Sequence, residues 1–179
     1  MRGTKSYVIV DIDMGPVTWK GAGKQLDPTI VINANKPLVY VTMGSSGNHE
    51  HMKIIAERLR GSQFQVVMTT GGVIDAQEMK SYERPGFYVR DFLPGDKVIA
   101  SSKQTVVICH GGIGTVYQAL EHQARGILVL PAHWQHRRIG SRLAEIGLGR
   151  LVSDSDVPGV VEMVHPLLTA PHDTVPIDI

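Results

Sequence analysis

The sequence predicts an α/β fold built on a doubly wound, parallel sheet, and three observations carry that prediction. Short β-branched runs alternate along the chain with longer amphipathic segments. Several of the runs are apolar at consecutive positions, as in strands buried on both faces. The strand runs and amphipathic segments follow one another in the layout of βα units, which implies a parallel sheet.

Taken in order, the first apolar run spans residues 7–12. An irregular stretch, 15–37, follows it and holds Pro16, Gly21, Gly23, Pro28 and Pro37. The regular series opens with a strand at 38–43 and a helical pattern at 50–60. Strands are expected at 65–69, 87–89 and 105–109, then a helix at 114–123. A strand at 127–130, a helix at 137–146, a short strand at 149–152 and a helix at 157–168 complete the series. One α/β domain is therefore expected over 37–168, preceded by a connector and followed by a loose tail, 169–179, with Pro171 and Pro176. A chain of 179 residues suits a single domain of this size.

Charge narrows the function classes. The 18 Lys and Arg nearly balance the 17 Asp and Glu, so bulk charge recruits neither nucleic acid nor an anionic membrane. The lone Cys109 has no internal disulfide partner and closes an apolar run, as a buried, reduced thiol would. No apolar stretch reaches the roughly 20 residues of a membrane span, and the first residues lack the apolar run of a signal peptide. A cytoplasmic location is expected.

In an open parallel sheet, ligands bind beyond the carboxyl ends of the strands. Four such ends are polar or glycine-rich: Gly44-Ser45-Ser46-Gly47-Asn48, Thr70-Gly71-Gly72, His110-Gly111-Gly112-Ile113-Gly114-Thr115 and Pro131-Ala132-His133-Trp134-Gln135. The third is the most informative, since a buried strand runs into three glycines and a helix follows at once. Glycines let backbone approach a ligand closely, and the helix start offers free N–H groups and partial positive charge to a phosphate. Thr115 and His110 can donate to the same oxygens. Close packing alone accounts for three glycines equally well. The string is not a dinucleotide fingerprint, because Tyr117 stands where a glycine is required, and no Gly-Lys-Ser/Thr makes a P-loop. His133 and His136 can share a helix face, whereas His49 and His51 cannot, and no cysteine or carboxylate cluster completes a metal site. Arg137-Arg138 reads as a solvated helix face.

The string from His110 to Thr115, followed by Gln118, Pro131 and Gln135, resembles the donor-site signature of the UDP-glycosyltransferase superfamily, the macrolide glycosyltransferases included. Residues 36–45 resemble the strand and loop that open its C-terminal domain, and 89–94 resemble its base-holding segment. The resemblance covers roughly residues 15–168 in the family's order and spacing. It implies a Rossmann-like domain, the C-terminal half of a GT-B fold, with 1–36 as remnant of a preceding domain and interdomain connector.

The resemblance also implies roles. Ser45, His110, Gly112, Ile113, Gly114 and Thr115 would hold the donor diphosphate, Phe92 and Leu93 the base, and Gln118 the ribose. Trp134 and Gln135 would face the sugar. Two residues depart from the family pattern. Gln118 replaces a glutamate, making the ribose contact a neutral hydrogen bond. Trp134 replaces an aspartate and removes an acceptor for sugar hydroxyls. Packing accounts equally well for Phe92 and Trp134. A helix-start hydrogen bond is open to Gln135, and capping of the helix near Asn48 to Ser45.

The implied activity is inverting, metal-independent transfer of a hexose from a UDP- or dTDP-sugar, with no cofactor. The base and the acceptor wall would come from an N-terminal domain, so no catalytic residue is expected in this chain, and the isolated chain should be inactive. A strand-end face exposing Phe92 and Trp134 would favour self-association. The other reading is a non-catalytic nucleotide-sugar binding module, or a subunit of a split glycosyltransferase. The residues name neither sugar, base nor acceptor.

Overall fold

The computed structural model describes residues 25–170. The candidate strand at 7–12, the first part of the connector and the tail from 171 onward lie outside the described residues. Six strands form one sheet, β1 (Leu38–Thr42), β2 (Gln65–Thr69), β3 (Phe87–Arg90), β4 (Thr105–Cys109), β5 (Gly126–Val129) and β6 (Gly149–Leu151). All five pairings are parallel and the order is β3-β2-β1-β4-β5-β6. This is the Rossmann order, in which the chain runs outward from β1 to one edge and then returns to run to the other. The reversal leaves a crevice between β1 and β4.

The alternation within each strand builds two cores. Val39 and Val41 of β1 and Val106 and Ile108 of β4 face α1 (His49–Arg60) and α5 (Val160–Thr169). Leu38, Tyr40, Val107 and Cys109 face the other way, toward α2 (Gly95–Ala100), α3 (Ile113–Glu121) and α4 (Trp134–Glu145). Every residue of β1 and β4 is buried, as their unbroken apolar runs require.

Several boundaries differ from expectation. α4 starts at Trp134 rather than 137, so the polar-aromatic turn after β5 is already helical. The expected helix at 157–168 divides into a 3-10 segment, Asp154–Gly159, that contains Pro158, and α5 proper. α2 is an element the hydrophobic period did not announce. Among the connector residues, 25–36 are irregular, yet Ile30 is buried in the second core. Arg90 pins this segment, its Nε donating to Asp27 Oδ2 at 2.6 Å and a terminal nitrogen donating to Thr29 Oγ1 at 2.7 Å. Beside Arg90 the Asp27 carboxyl is held down to about 2.

Candidate functional site

The loop after β4 shows why glycine is required there. Gly111 adopts φ +94°, and a Cβ at that position would lie 2.8 Å from Val129 Cγ1 and 3.1 Å from His136 Cβ. The turn therefore packs directly on β5 and α4. A Cβ on Gly112, whose φ is ordinary, would approach His110 Nε2 to 2.5 Å. One on Gly44 would approach His110 Cε1 to 2.6 Å. The His110 ring is thus clasped between the loops that follow β1 and β4, at the crevice.

Gly112 is the N-cap of α3 and brings no side chain to it, so no capping hydrogen bond closes this helix start. α1 differs. Asn48 Oδ1 accepts from the backbone N–H of Glu50 and of His51, at 2.9 and 3.4 Å, so Asn48 rather than Ser45 caps that helix.

A cavity of about 350 Å³ opens in front of α3. Ser45 and Gly44 form one side, Gly114, Thr115 and Gln118 another, and Phe92 and Leu93 the far end. Phe92 is 73% exposed, which excludes core packing for it within this domain, while Gln118 is buried. Tyr40, Thr42, Thr69 and Asp91 complete the wall, and the Tyr40 hydroxyl lies 3.3 Å from Thr69 Oγ1. Sequence reasoning gave none of these four a ligand role: Tyr40, Thr42 and Thr69 are strand residues that read as core, although Tyr40 and Thr42 lie within 36–45 and Asp91 within 89–94. Asp91 is fixed by accepting from Thr70 Oγ1 at 3.0 Å and from the Ala76 N–H at 3.1 Å.

Trp134 and Gln135 line a separate cavity of about 550 Å³ with Ile113, His136, Arg138 and Arg142. Ile113 thus borders this cavity and not the first. Trp134 is 63% exposed, with the Arg138 guanidinium carbon 5.9 Å from its ring centroid. Gln135 is exposed, and the α4 N-cap, His133, makes no side-chain capping bond. The sequence-predicted residues therefore fall into two neighbouring groups joined through the α3 start, with His110 beneath.

His110 is almost fully buried, and desolvation, with the His136 and His133 rings adding to it, lowers its pKa to about 4; a backbone hydrogen bond with Thr42 acts in the opposite sense. The ring is neutral at pH 7 and presents one N–H donor. His136 is shifted the same way, by burial first and by His133 second. Burial pushes the Cys109 thiol up to about 12, so it is inert as a nucleophile. No helix among the described residues is long and apolar enough to cross a membrane.

Comparison with known proteins assigns this arrangement. Residues 38–138 match the glycosyltransferase family 28 C-terminal domain. The chain is 32% identical over 107 residues to a PGL/p-HBAD biosynthesis rhamnosyltransferase of Mycobacterium bovis, covering 60% of this chain and 22% of that one. It is 30% identical over 141 residues to a PGL/p-HBAD biosynthesis glycosyltransferase of Mycobacterium tuberculosis, covering 78% of this chain and 31% of the relative. The chain thus spans less than a third of the length of either relative. The spinosyn rhamnosyltransferase SpnG in complex with thymidine diphosphate shares the fold, with a TM-score of 0.68 at 16% identity over 88% of this chain and 44% of that one. With its Rossmann strand order, the domain is one half of a GT-B architecture. The chain belongs to the glycosyltransferase family 28 C-terminal domain family.

Proposed function

We propose that this domain binds the nucleotide-sugar donor of an inverting, metal-independent hexosyl transfer. The observation that carries the reading is the uncapped start of α3 at the β1–β4 crevice, opening on the cavity that holds Ser45, Thr115, Gln118, Leu93 and Phe92. In this reading the diphosphate lies against the N–H groups of Ile113, Gly114 and Thr115, with Ser45, Gly112 and His110 around it. Those donors also stabilise the charge that develops on the diphosphate as the sugar departs, in place of a metal. The base stacks on Phe92 beside Leu93, the ribose meets Gln118, and the sugar turns toward Trp134 and Gln135. The mycobacterial relative and SpnG are both rhamnosyltransferases, and SpnG was crystallised with thymidine diphosphate. These favour a dTDP-deoxyhexose over a UDP-hexose.

A donor site opening on solvent needs a second wall to seat an acceptor and a base to take its proton. In this reading both come from an acceptor domain, and no residue described above serves as the base. Calorimetric titration with dTDP and UDP tests donor binding. One of them binds with EDTA present and more tightly than NAD; loss of binding on chelation contradicts the metal-independent part, and preference for NAD the whole. A transfer assay on the chain alone stays at background. Vigorous transfer by a monomeric sample contradicts the two-wall argument.

A further inference from the structure

The His110 and His136 rings pack edge to face, with centroids 4.5 Å apart and planes at 78°. His133 also lies against His136, with centroids 3.5 Å apart and planes tilted by 34°. His110 is 9% exposed and His136 7%, and in each the Nδ1 atom is buried with no hydrogen-bond partner. Buried polar atoms are ordinarily paired, so two orphaned ring nitrogens in one contact point to a proton or partner supplied from outside. The groups around them are few. From the α4 N-cap comes His133, from β1 the Thr42 backbone, whose hydrogen bond to the His110 ring favours the charged form, and from β4 the neighbouring Cys109, which is neutral. The β1–α1 loop and the α3 start contribute Gly44 and Gly112, and β5 contributes Val129, none of them ionisable. No carboxylate is among the groups that shift either ring.

We propose that the His110–His136 pair is the proton-accepting part of the anion site: a nucleotide diphosphate seated at the start of α3 draws one proton from solvent onto the pair. The proposal rests on the donor-site reading above and adds to it a role for His136, as a positioning residue that shares the charge with His110. In the free protein, burial keeps both rings neutral at pH 7. A bound dianion supplies the missing counter-charge and favours the cationic form. Edge-to-face contact lets the neutral ring of one histidine receive the charge of the other, whereas two cations at this separation repel, so the pair takes up one proton and not two.

The test is calorimetric titration with dTDP-glucose and UDP-glucose between pH 6 and 8, repeated in buffers of different ionisation heat. These probes lack the terminal phosphate that titrates near pH 6, so any proton taken up goes to the protein. The expected result is an affinity that rises by about threefold to tenfold per unit fall in pH, the linkage of a partial to a whole proton. His136→Phe keeps a ring against His110 and removes the second base, and should lose at least half of that slope whatever its affinity at pH 8. If the Phe variant does not fold, His136→Gln carries the same expectation. Binding by the unaltered protein that is independent of pH overturns the proposal, as does an undiminished slope in either variant. Absence of binding by both probes at every pH removes the donor-site reading itself.

Discussion

The turns that follow β4 and β5 stand side by side and begin helices without a side-chain cap, but they are built from opposite materials. The β4–α3 turn is built largely of glycine, with Gly111 packed on β5 and α4, Gly112 against the His110 ring and Gly114 bordering the cavity. The β5–α4 turn crowds side chains together, with His133, Trp134, Gln135 and His136 in succession. Backbone donors are the same whatever residue follows, so in the proposed reading the first turn suits any diphosphate. In that reading selectivity among sugars falls to the second turn, whose exposed Trp134 and Gln135 stand apart from the Gly111–His136 contact that joins the two turns.

The largest effect should come from breaking the backbone turn. Gly111→Ala forces an alanine to φ +94° and drives its Cβ into Val129 and His136. Strain of about 1–2 kcal/mol plus overpacking of about 1–3 kcal/mol should appear as a lower urea midpoint. Unchanged stability would mean that the two turns are not in close contact.

Next in size is the response to acid. His110 titrates near 6.5 when unfolded and at about 4 when folded, so between those values the unfolded chain binds more protons. Its contribution is complete above pH 6.5 and is lost as the pH falls toward 4, a change of about 3 kcal/mol. His136 acts in the same direction. Urea unfolding at pH 7 and pH 4.5 measures this, and in His110→Gln the loss should be smaller.

Two binding measurements sharpen the contrast further. His110→Ala should weaken dTDP binding by about 1–3 kcal/mol while the protein stays folded, the range for a hydrogen bond to a charged group. A variant that binds normally would assign His110 to packing alone. Trp134→Ala should leave dTDP binding unaltered and change the preference among dTDP-sugars by about 1 kcal/mol, the scale of one stacking or apolar contact. Equal losses for the nucleotide and its sugars would erase the distinction between the two turns.

Much of this arrangement was legible in the sequence. β1, β2 and β4 are short runs, rich in valine, that stay apolar at consecutive positions, as strands buried on both faces do. The glycine string after β4 was legible because glycine at a strand end carries a backbone meaning of its own. α2 was not, since six residues complete too few turns to show a period. The start of α4 was hidden by His133 and Trp134, whose exposure is set by tertiary position rather than by the helix's apolar face. His133 and His136 were expected on one face, and their rings do meet. That His110 joins them follows from the pairing of β4 with β5, which no local pattern encodes. The same applies to Tyr40 and Thr69, strand residues whose hydroxyls reach the cavity only because β1 and β2 are neighbours.

The two outer strands have a consequence for assembly. β3 has four residues, and the segment carrying Asp27 and Val31 is bonded to it through Arg90 and Tyr88. β6 has three residues and carries the exposed Arg150. Edges so short, and either strapped or charged, offer another chain almost no ladder to extend. Association by strand addition at these edges of the described residues is therefore disfavoured, and in the proposed reading an acceptor domain meets this one end-on, over the openings that Phe92 and Trp134 border. In that reading docking and ligand exchange use the same doorway, so the lifetime of a complex limits the escape of a bound molecule.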